Sequence, residues 1–170
     1  MTETDLGLLL LRLGLAALLA GHGFQKSLGW FRGMGLARTA EVFESWGFRP
    51  GRPLVLLAAG CELLGALLLA TGLLTRVASA VVIGTMLVAA APNAVNGLWA
   101  HLGGCEVTVV YAYLAACLAV TGPGHLSLDN AAGLPDGGGW GAALAIVVGA
   151  LAAVPPLLRR RSALRARPTS

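Results

Sequence analysis

The side chain with the most distinctive chemistry is Glu62, an acid in the middle of an otherwise apolar stretch, residues 54–76. A run of about 20 apolar residues crosses the hydrocarbon core of a bilayer as one helix. A carboxylate near the centre of such a helix costs at least about 2.5 kcal/mol unless it faces other helices and is paired or protonated. The sequence therefore predicts a membrane protein whose polar groups lie inside a helix bundle.

Four further polar side chains are candidates for the same interior. Arg12 lies in the first apolar segment, and a rise of about 1.5 Å per residue leaves roughly 9 Å of height between it and Glu62. Two long side chains close that gap, so the sequence predicts an Arg12–Glu62 ion pair. His22, Asn96 and Glu106 lie nearer one membrane face and are expected to form a polar cluster beneath that pair.

Each candidate also has a structural interpretation. The Arg12–Glu62 pair either fixes helix packing or holds a carboxylate that handles protons or binds a ligand, as intramembrane ionisable groups usually do. His22 either caps its helix or orients a ligand, and Asn96 either bonds between helices or contacts a ligand. No metal-ligand spacing motif is present, so no metal site is predicted.

Composition supports the membrane assignment. Hydrophobic residues make up 56% of the chain and charged residues only 12%, against about 25% charged residues in soluble domains. This excludes a soluble domain with a single anchor and gives no indication of nucleic-acid binding. The apolar segments predict five membrane-spanning helices, over residues 6–24, 54–76, 77–97, about 103–120 and 140–158.

Two of the connections have a pattern of their own. Residues 35–48 alternate apolar and polar faces at helical spacing, which predicts a short amphipathic helix on the membrane surface or a lid over the polar interior. Residues 107–120 are too few to span alone, so the fourth helix is expected to include Gly103, Gly104, Cys105 and Glu106.

Topology follows from the positive charges. Ten of the twelve Lys and Arg residues lie in the first long loop, residues 25–53, and in the C-terminal tail, residues 159–170. With five spans, both segments lie on the same side. The positive-inside rule then places them in the cytoplasm and the N-terminus outside.

Several motifs resemble the DoxX family of small bacterial membrane proteins. They are HGFQK, ELLG, GLLTR and GGCE, in the family's order, within a similarity that extends over about residues 10–129. Arg12, His22, Glu62, Asn96 and Glu106 fit the family pattern, as do three further positions. These are Gln25, Lys26 and Arg76.

The resemblance implies a four-helix membrane bundle, over residues 1–134, followed by a fifth helix and a basic tail, residues 135–170, that lie beyond the family core. It also implies association with membrane redox assemblies, some of which contain quinone-reducing subunits. The sequence departs from the family pattern at Asn93, where a His is usual, and at Cys105, where an aromatic residue is usual.

Three functions are compatible with these features. The first is a membrane subunit of a redox complex, with a polar pocket for a quinone or similar small molecule and a membrane or cytoplasmic oxidoreductase as partner. The second is a non-catalytic anchor that recruits a soluble partner or anionic lipid. The third and weakest is a small-solute transporter, because no inverted repeat is visible. No nucleotide or haem motif indicates an enzyme acting alone.

Overall fold

The computed structural model describes residues 2–135 and 137–166, and within those ranges the regular structure is entirely helical. The predicted all-α membrane bundle is confirmed. Residues 167–170 of the predicted basic tail lie outside the described residues. The helices are α1 (Glu3–Ser27), α2 (Gly35–Ser45), α3 (Gly51–Thr71), α4 (Thr75–Ala90), α5 (Glu106–Thr121), α6 (Leu128–Ala131) and α7 (Gly138–Arg165), with short 3-10 turns at Ala94–Asn96 and Ala100–Leu102.

Helices α1, α3 and α7 are each long and apolar enough to cross a membrane. Helices α4 and α5 are apolar but have 16 residues each, which is shorter than the roughly 20 that a full span needs. Both run between the same two ends of the bundle as the long helices. Thr75, which begins α4, bonds to Asp129, and His125, just beyond α5, bonds to Asp5 near the start of α1. The chain is a multi-pass membrane protein.

The bundle has two ends, the Asp5 end and the Lys26 end. The Asp5 end holds the start of α1, the α3–α4 turn and residues 122–135. The Lys26 end holds α2, residues 91–105 and the C-terminal part of α7. At the Lys26 end, Arg160 Nε donates a hydrogen bond of 2.9 Å to the carbonyl of Trp46. The first long loop and the end of α7 therefore lie on the same side, as the charge count predicts.

Two of the predicted helix boundaries are wrong at the Asp5 end. The second segment stops at Thr71 because Gly72 adopts a left-handed conformation, with φ of 64°. The amides of Gly72 and Leu73 then bond to the carbonyls of Leu69 and Leu68, which closes the helix end. Arg76 consequently lies in the first turn of α4 rather than at the end of α3.

The boundaries also differ at the Lys26 end. Helix α4 ends at Ala90, before Pro92, instead of continuing to residue 97. Helix α5 begins at Glu106, because Gly103 ends a 3-10 turn with φ of 79°. The expectation that residues 103–105 join this helix is therefore wrong. Helix α7 is longer than predicted and carries the first arginines of the tail within its last turns.

Helices α1, α3, α4 and α5 surround a common apolar core, and α7 packs on the outside of α4 and α5. The middle of the core is formed by Leu15, Leu19, Leu69, Val82 and Leu118, each at most 2% exposed. This apolar layer separates the Asp5 end of the bundle from the Lys26 end.

The contact between α4 and α7 depends on two glycines. A Cβ atom on Gly84 would lie 2.9 Å from the carbonyl oxygen of Gly149, and one on Gly149 would lie 2.7 Å from the carbonyl oxygen of Ala80. The two backbones approach so closely that neither position has room for a side chain. Small residues commonly allow membrane helices to pack in this way.

Gly149→Leu is expected to lower the free energy of unfolding by about 2–3 kcal/mol, since overpacking a close backbone contact costs energy of this order. The measurement is thermal unfolding in detergent. Gly139→Leu is the matched control, because Gly139 lies in the same helix and faces open space. Equal melting temperatures for the two variants would contradict the close α4–α7 contact.

Candidate functional site

A cavity of about 530 Å³ opens within the Lys26 end of the bundle. Its volume is within the range of small-molecule sites, roughly 300–1,000 Å³. Helices α1, α3, α4, α5 and α7 and the end of α2 all contribute to its wall. The polar side chains in that wall are His22, Lys26, Cys61, Glu62, Thr85, Asn93, Thr108 and Tyr111.

The central feature of this wall is an ion pair between Lys26 Nζ and Glu62 Oε1. The Glu62 side chain is 1% exposed and that of Lys26 is 23% exposed. The second carboxylate oxygen, Oε2, is buried and has no hydrogen-bond partner among the described residues. A buried carboxylate oxygen normally has a partner, so this oxygen is an acceptor available to a ligand or an ordered water.

Close packing of α1 on α3 brings the pair together. A Cβ on Gly23 would lie 2.8 Å from Leu63 Cγ, so the two helices approach closely one residue away from Glu62. Lys26 lies nearly one turn beyond Gly23 and therefore projects toward the same part of α3. Glu62 itself lies about 17 Å along α3 from Gly51, at a rise of about 1.5 Å per residue.

Two ring side chains lie in the same wall. His22 precedes Lys26 by four residues and so shares its face of α1. Its ring centroid is 5.8 Å from that of Tyr111 on α5, and Tyr111 is 8% exposed. With the Lys26 ammonium, the imidazole and the phenol supply hydrogen-bond donors on the side of the cavity that holds the carboxylate.

The remaining wall is mainly apolar and aromatic. Phe43, at the end of α2, has its ring centroid 5.9 Å from that of Trp46 and 5.8 Å from that of Phe48. All three residues line the cavity. The amphipathic segment therefore forms part of the cavity wall, which agrees with its interpretation as a lid.

The predicted Arg12–Glu62 pair is wrong, because each residue has another partner in the structure. Arg12 is fully buried toward the Asp5 end, and its guanidinium donates to the carbonyls of Leu69, at 3.4 Å, and Leu126. Leu69 lies two turns beyond Glu62 along α3, about 10 Å away. The apolar layer, including Leu15, fills the space between them, so Lys26 rather than Arg12 neutralises the carboxylate.

Asn96 and Glu106 do not line the cavity. The Asn96 amide nitrogen donates to the Gly103 carbonyl at 3.2 Å, and Glu106 Oε2 accepts from the Ala100 amide at 2.8 Å. Both bonds fold the turn between α4 and α5. Of the three residues in the predicted cluster, only His22 lies in the cavity wall, and Asn93 lines it where Asn96 was expected.

The sequence does not indicate Lys26 and Tyr111 among the candidate pocket residues. Lys26 falls within the predicted first loop, although its spacing of four from His22 places both on one helix face. Tyr111 is one of two tyrosines in α5, and the sequence alone offers no means of choosing it over Tyr113, which is 67% exposed.

The Asp5 end is organised by different acids. Asp5 Oδ1 accepts from the His125 amide at 3.0 Å and lies 2.9 Å from its ring Nδ1. Asp129 accepts from the amides of Leu74 and Thr75, at 2.6 and 2.9 Å, and so caps the start of α4. With Arg12, these bonds fasten residues 122–135 onto the bundle.

The comparisons with known proteins identify one family. The sequence model of the DoxX family matches residues 7–102, more than half of the chain. The matched region begins in α1 and ends with the second 3-10 turn, so it includes His22, Lys26 and Glu62. No curated protein and no solved structure matches the chain.

Arg12→Leu is expected to free residues 124–131, because hydrogen bonds from a charged donor contribute about 1.5–3 kcal/mol. Hydrogen exchange of the amides in this segment should accelerate at least tenfold, as measured by mass spectrometry. Lys26→Leu is the matched control, since it removes a cation at the opposite end and should leave exchange at 124–131 unchanged. Unaltered exchange in Arg12→Leu would contradict the role assigned to Arg12.

Proposed function

Because the chain belongs to the DoxX family, a family of membrane proteins, we propose that it is a membrane subunit of a redox complex and that its cavity binds a quinone or similar small molecule. The observation that carries the proposal is the buried Glu62 carboxylate, whose Oε2 has no partner in the described structure. Pockets of this kind, apolar with a few convergent polar groups, are typical ligand sites.

The polar groups match the two redox forms of a quinone. A quinone carbonyl accepts hydrogen bonds, which the Lys26 ammonium, the His22 imidazole and the Tyr111 hydroxyl can donate. The hydroxyl of the reduced form, a quinol, donates, and the free Oε2 of Glu62 accepts. The apolar wall, with Phe43 and Met86, suits the ring.

The proposed roles follow from this geometry. Oxidation of a quinol releases two protons and two electrons. Glu62 accepts one proton and His22 the other, whereas the electrons pass to a redox group of a membrane or cytoplasmic oxidoreductase partner. The sequence predicted that Arg12 would pair with the charged Glu62. Lys26 has this role instead, because its ammonium stabilises the Glu62 carboxylate before the proton arrives.

The proposed location is the bacterial inner membrane. The Lys26 end carries exposed arginines on both the first long loop and α7, which the positive-inside rule places in the cytoplasm. They include Arg38, Arg49, Arg52, Arg159, Arg161 and Arg165. In this orientation the cavity lies in the cytoplasmic half of the membrane and the N-terminus lies outside.

The same arginines favour a second candidate function, a membrane anchor. Exposed basic side chains near the membrane attract anionic lipids or an acidic partner, with about 1 kcal/mol for each Lys or Arg near an anionic surface. An anchor would use this surface and leave the Lys26–Glu62 pair as a purely structural contact.

The test compares Glu62→Gln with Glu106→Gln, which makes the same change at the same end of the bundle but outside the cavity. Each protein is purified in mild detergent, and the quinone retained per protein is quantified by mass spectrometry. Wild type and Glu106→Gln should retain quinone, and Glu62→Gln should retain at least tenfold less, since a hydrogen bond to a charged group contributes about 1.5–3 kcal/mol.

Two results would contradict this proposal. A wild-type protein that carries only phospholipid would favour the anchor. Equal loss in Glu62→Gln and Glu106→Gln would show that retention does not depend on the cavity carboxylate.

A further inference from the structure

We infer that the cavity has a lateral portal between α3 and α4, through which the hydrocarbon tail of its ligand extends into the bilayer. The inference rests on the proposed function for the identity of the ligand, a quinone with a long apolar chain. It adds a tail-binding site and a route of entry from the lipid phase.

Two facing stripes of side chains define the portal. On α3, Leu54, Ala58 and Cys61 recur at intervals of three and four residues and so share one helix face. On α4, Val81, Thr85 and Val88 do the same and line the same cavity. Each stripe extends about 10 Å along its helix, at about 1.5 Å per residue.

The two helices pack closely against each other near the Asp5 end. A short turn joins them at the Asp5 end, and a Cβ on Gly65 would lie 2.8 Å from Val82 Cγ2. Toward the Lys26 end both helices line the cavity, which therefore continues between them. Thr85 and Val88 are partly exposed along this gap, whereas Val82, which meets Gly65 of α3 nearer the Asp5 end, is 1% exposed.

The outer edge of the portal faces the apolar surface of the bundle. Leu57 on α3 lines the cavity and is nevertheless 62% exposed. On a membrane-spanning helix such a surface contacts lipid chains. The portal thus joins the lipid phase to the polar wall at Glu62, and a molecule with a polar ring and an apolar tail fits both parts.

The experiment measures the affinity of two probes in the same lipid nanodiscs. Both have the dimethoxy-methyl-benzoquinone ring, and one also has a decyl chain. Ala58→Phe places a ring in the portal, and Gly60→Phe is the matched control, because Gly60 lies on α3 outside the cavity and faces open space. Each variant is compared with wild type using the same probe. The partitioning of the decyl chain into lipid is then the same in both measurements and cancels.

Ala58→Phe should weaken binding of the decyl probe at least tenfold and leave the chainless probe unchanged, while Gly60→Phe affects neither. An equal loss for both probes would show that position 58 belongs to the ring site and not to a tail site. No loss for either probe would show that the tail does not pass between α3 and α4. Either result overturns the portal.

A second measurement separates the portal from the quinone proposal. The protein is placed in phosphatidylcholine vesicles containing a phospholipid with a diazirine at the end of one acyl chain, and labelled residues are mapped after illumination. The stripe around Thr85 should be labelled in wild type and protected in Ala58→Phe. Labelling of lipid-facing Leu67, 62% exposed, without the stripe would overturn the portal.

If wild type binds neither quinone probe, the proposed function is wrong. The labelling result alone then determines whether hydrocarbon chains enter between α3 and α4. Labelled stripe residues would uphold a portal that admits hydrocarbon chains.

Discussion

The ion pair between Lys26 and Glu62 is the interaction on which the Lys26 end of the bundle depends. A charged carboxylate in the hydrocarbon region is costly, and the adjacent ammonium compensates for part of that cost. Buried ion pairs seldom stabilise a fold more than apolar side chains of the same size would. A pair in a cavity wall, with one carboxylate oxygen unpartnered among the described residues, is the arrangement that the proposed ligand site requires.

The apolar layer gives the two ends separate tasks. Leu15, Leu19 and Leu69 are almost completely buried between the two polar regions. On one side, Arg12 and Asp129 hold the α3–α4 turn and residues 122–135 in place. On the other side, Glu62 Oε2 is buried in the wall of the cavity without a hydrogen-bond partner among the described residues. The two ends therefore hold different polar groups, and the proposed ligand site lies at the Lys26 end.

Hydropathy was sufficient to predict the helical class and the approximate positions of the five apolar helices, because span length depends on bilayer thickness. Helix ends were predicted less well. They depend on local backbone conformations, such as that of Gly72, and on side-chain caps such as Asp129, which is distant in sequence from the helix it caps.

The site was predicted in part. Glu62 and His22 line the cavity, because an acid inside a span and a polar residue on the inner face of α1 have few other places to lie. Depth along the membrane normal was a poor guide to pairing. Arg12 contacts α3 about two turns beyond Glu62 and packed leucines fill the space between them, whereas Lys26 reaches Glu62 because α1 and α3 approach closely at Gly23. The pattern of a single helix does not show such packing between helices.

The most direct measurement of the central claim is infrared difference spectroscopy of the Glu62 carboxyl group, with Glu62→Gln used to assign its bands. Because the Lys26 ammonium contacts Glu62 Oε1, the Glu62 bands should shift in frequency in Lys26→Met and keep their wild-type frequency in Arg12→Met. Unshifted bands in Lys26→Met, or bands that shift only in Arg12→Met, would contradict the assignment of Lys26 as the partner of Glu62.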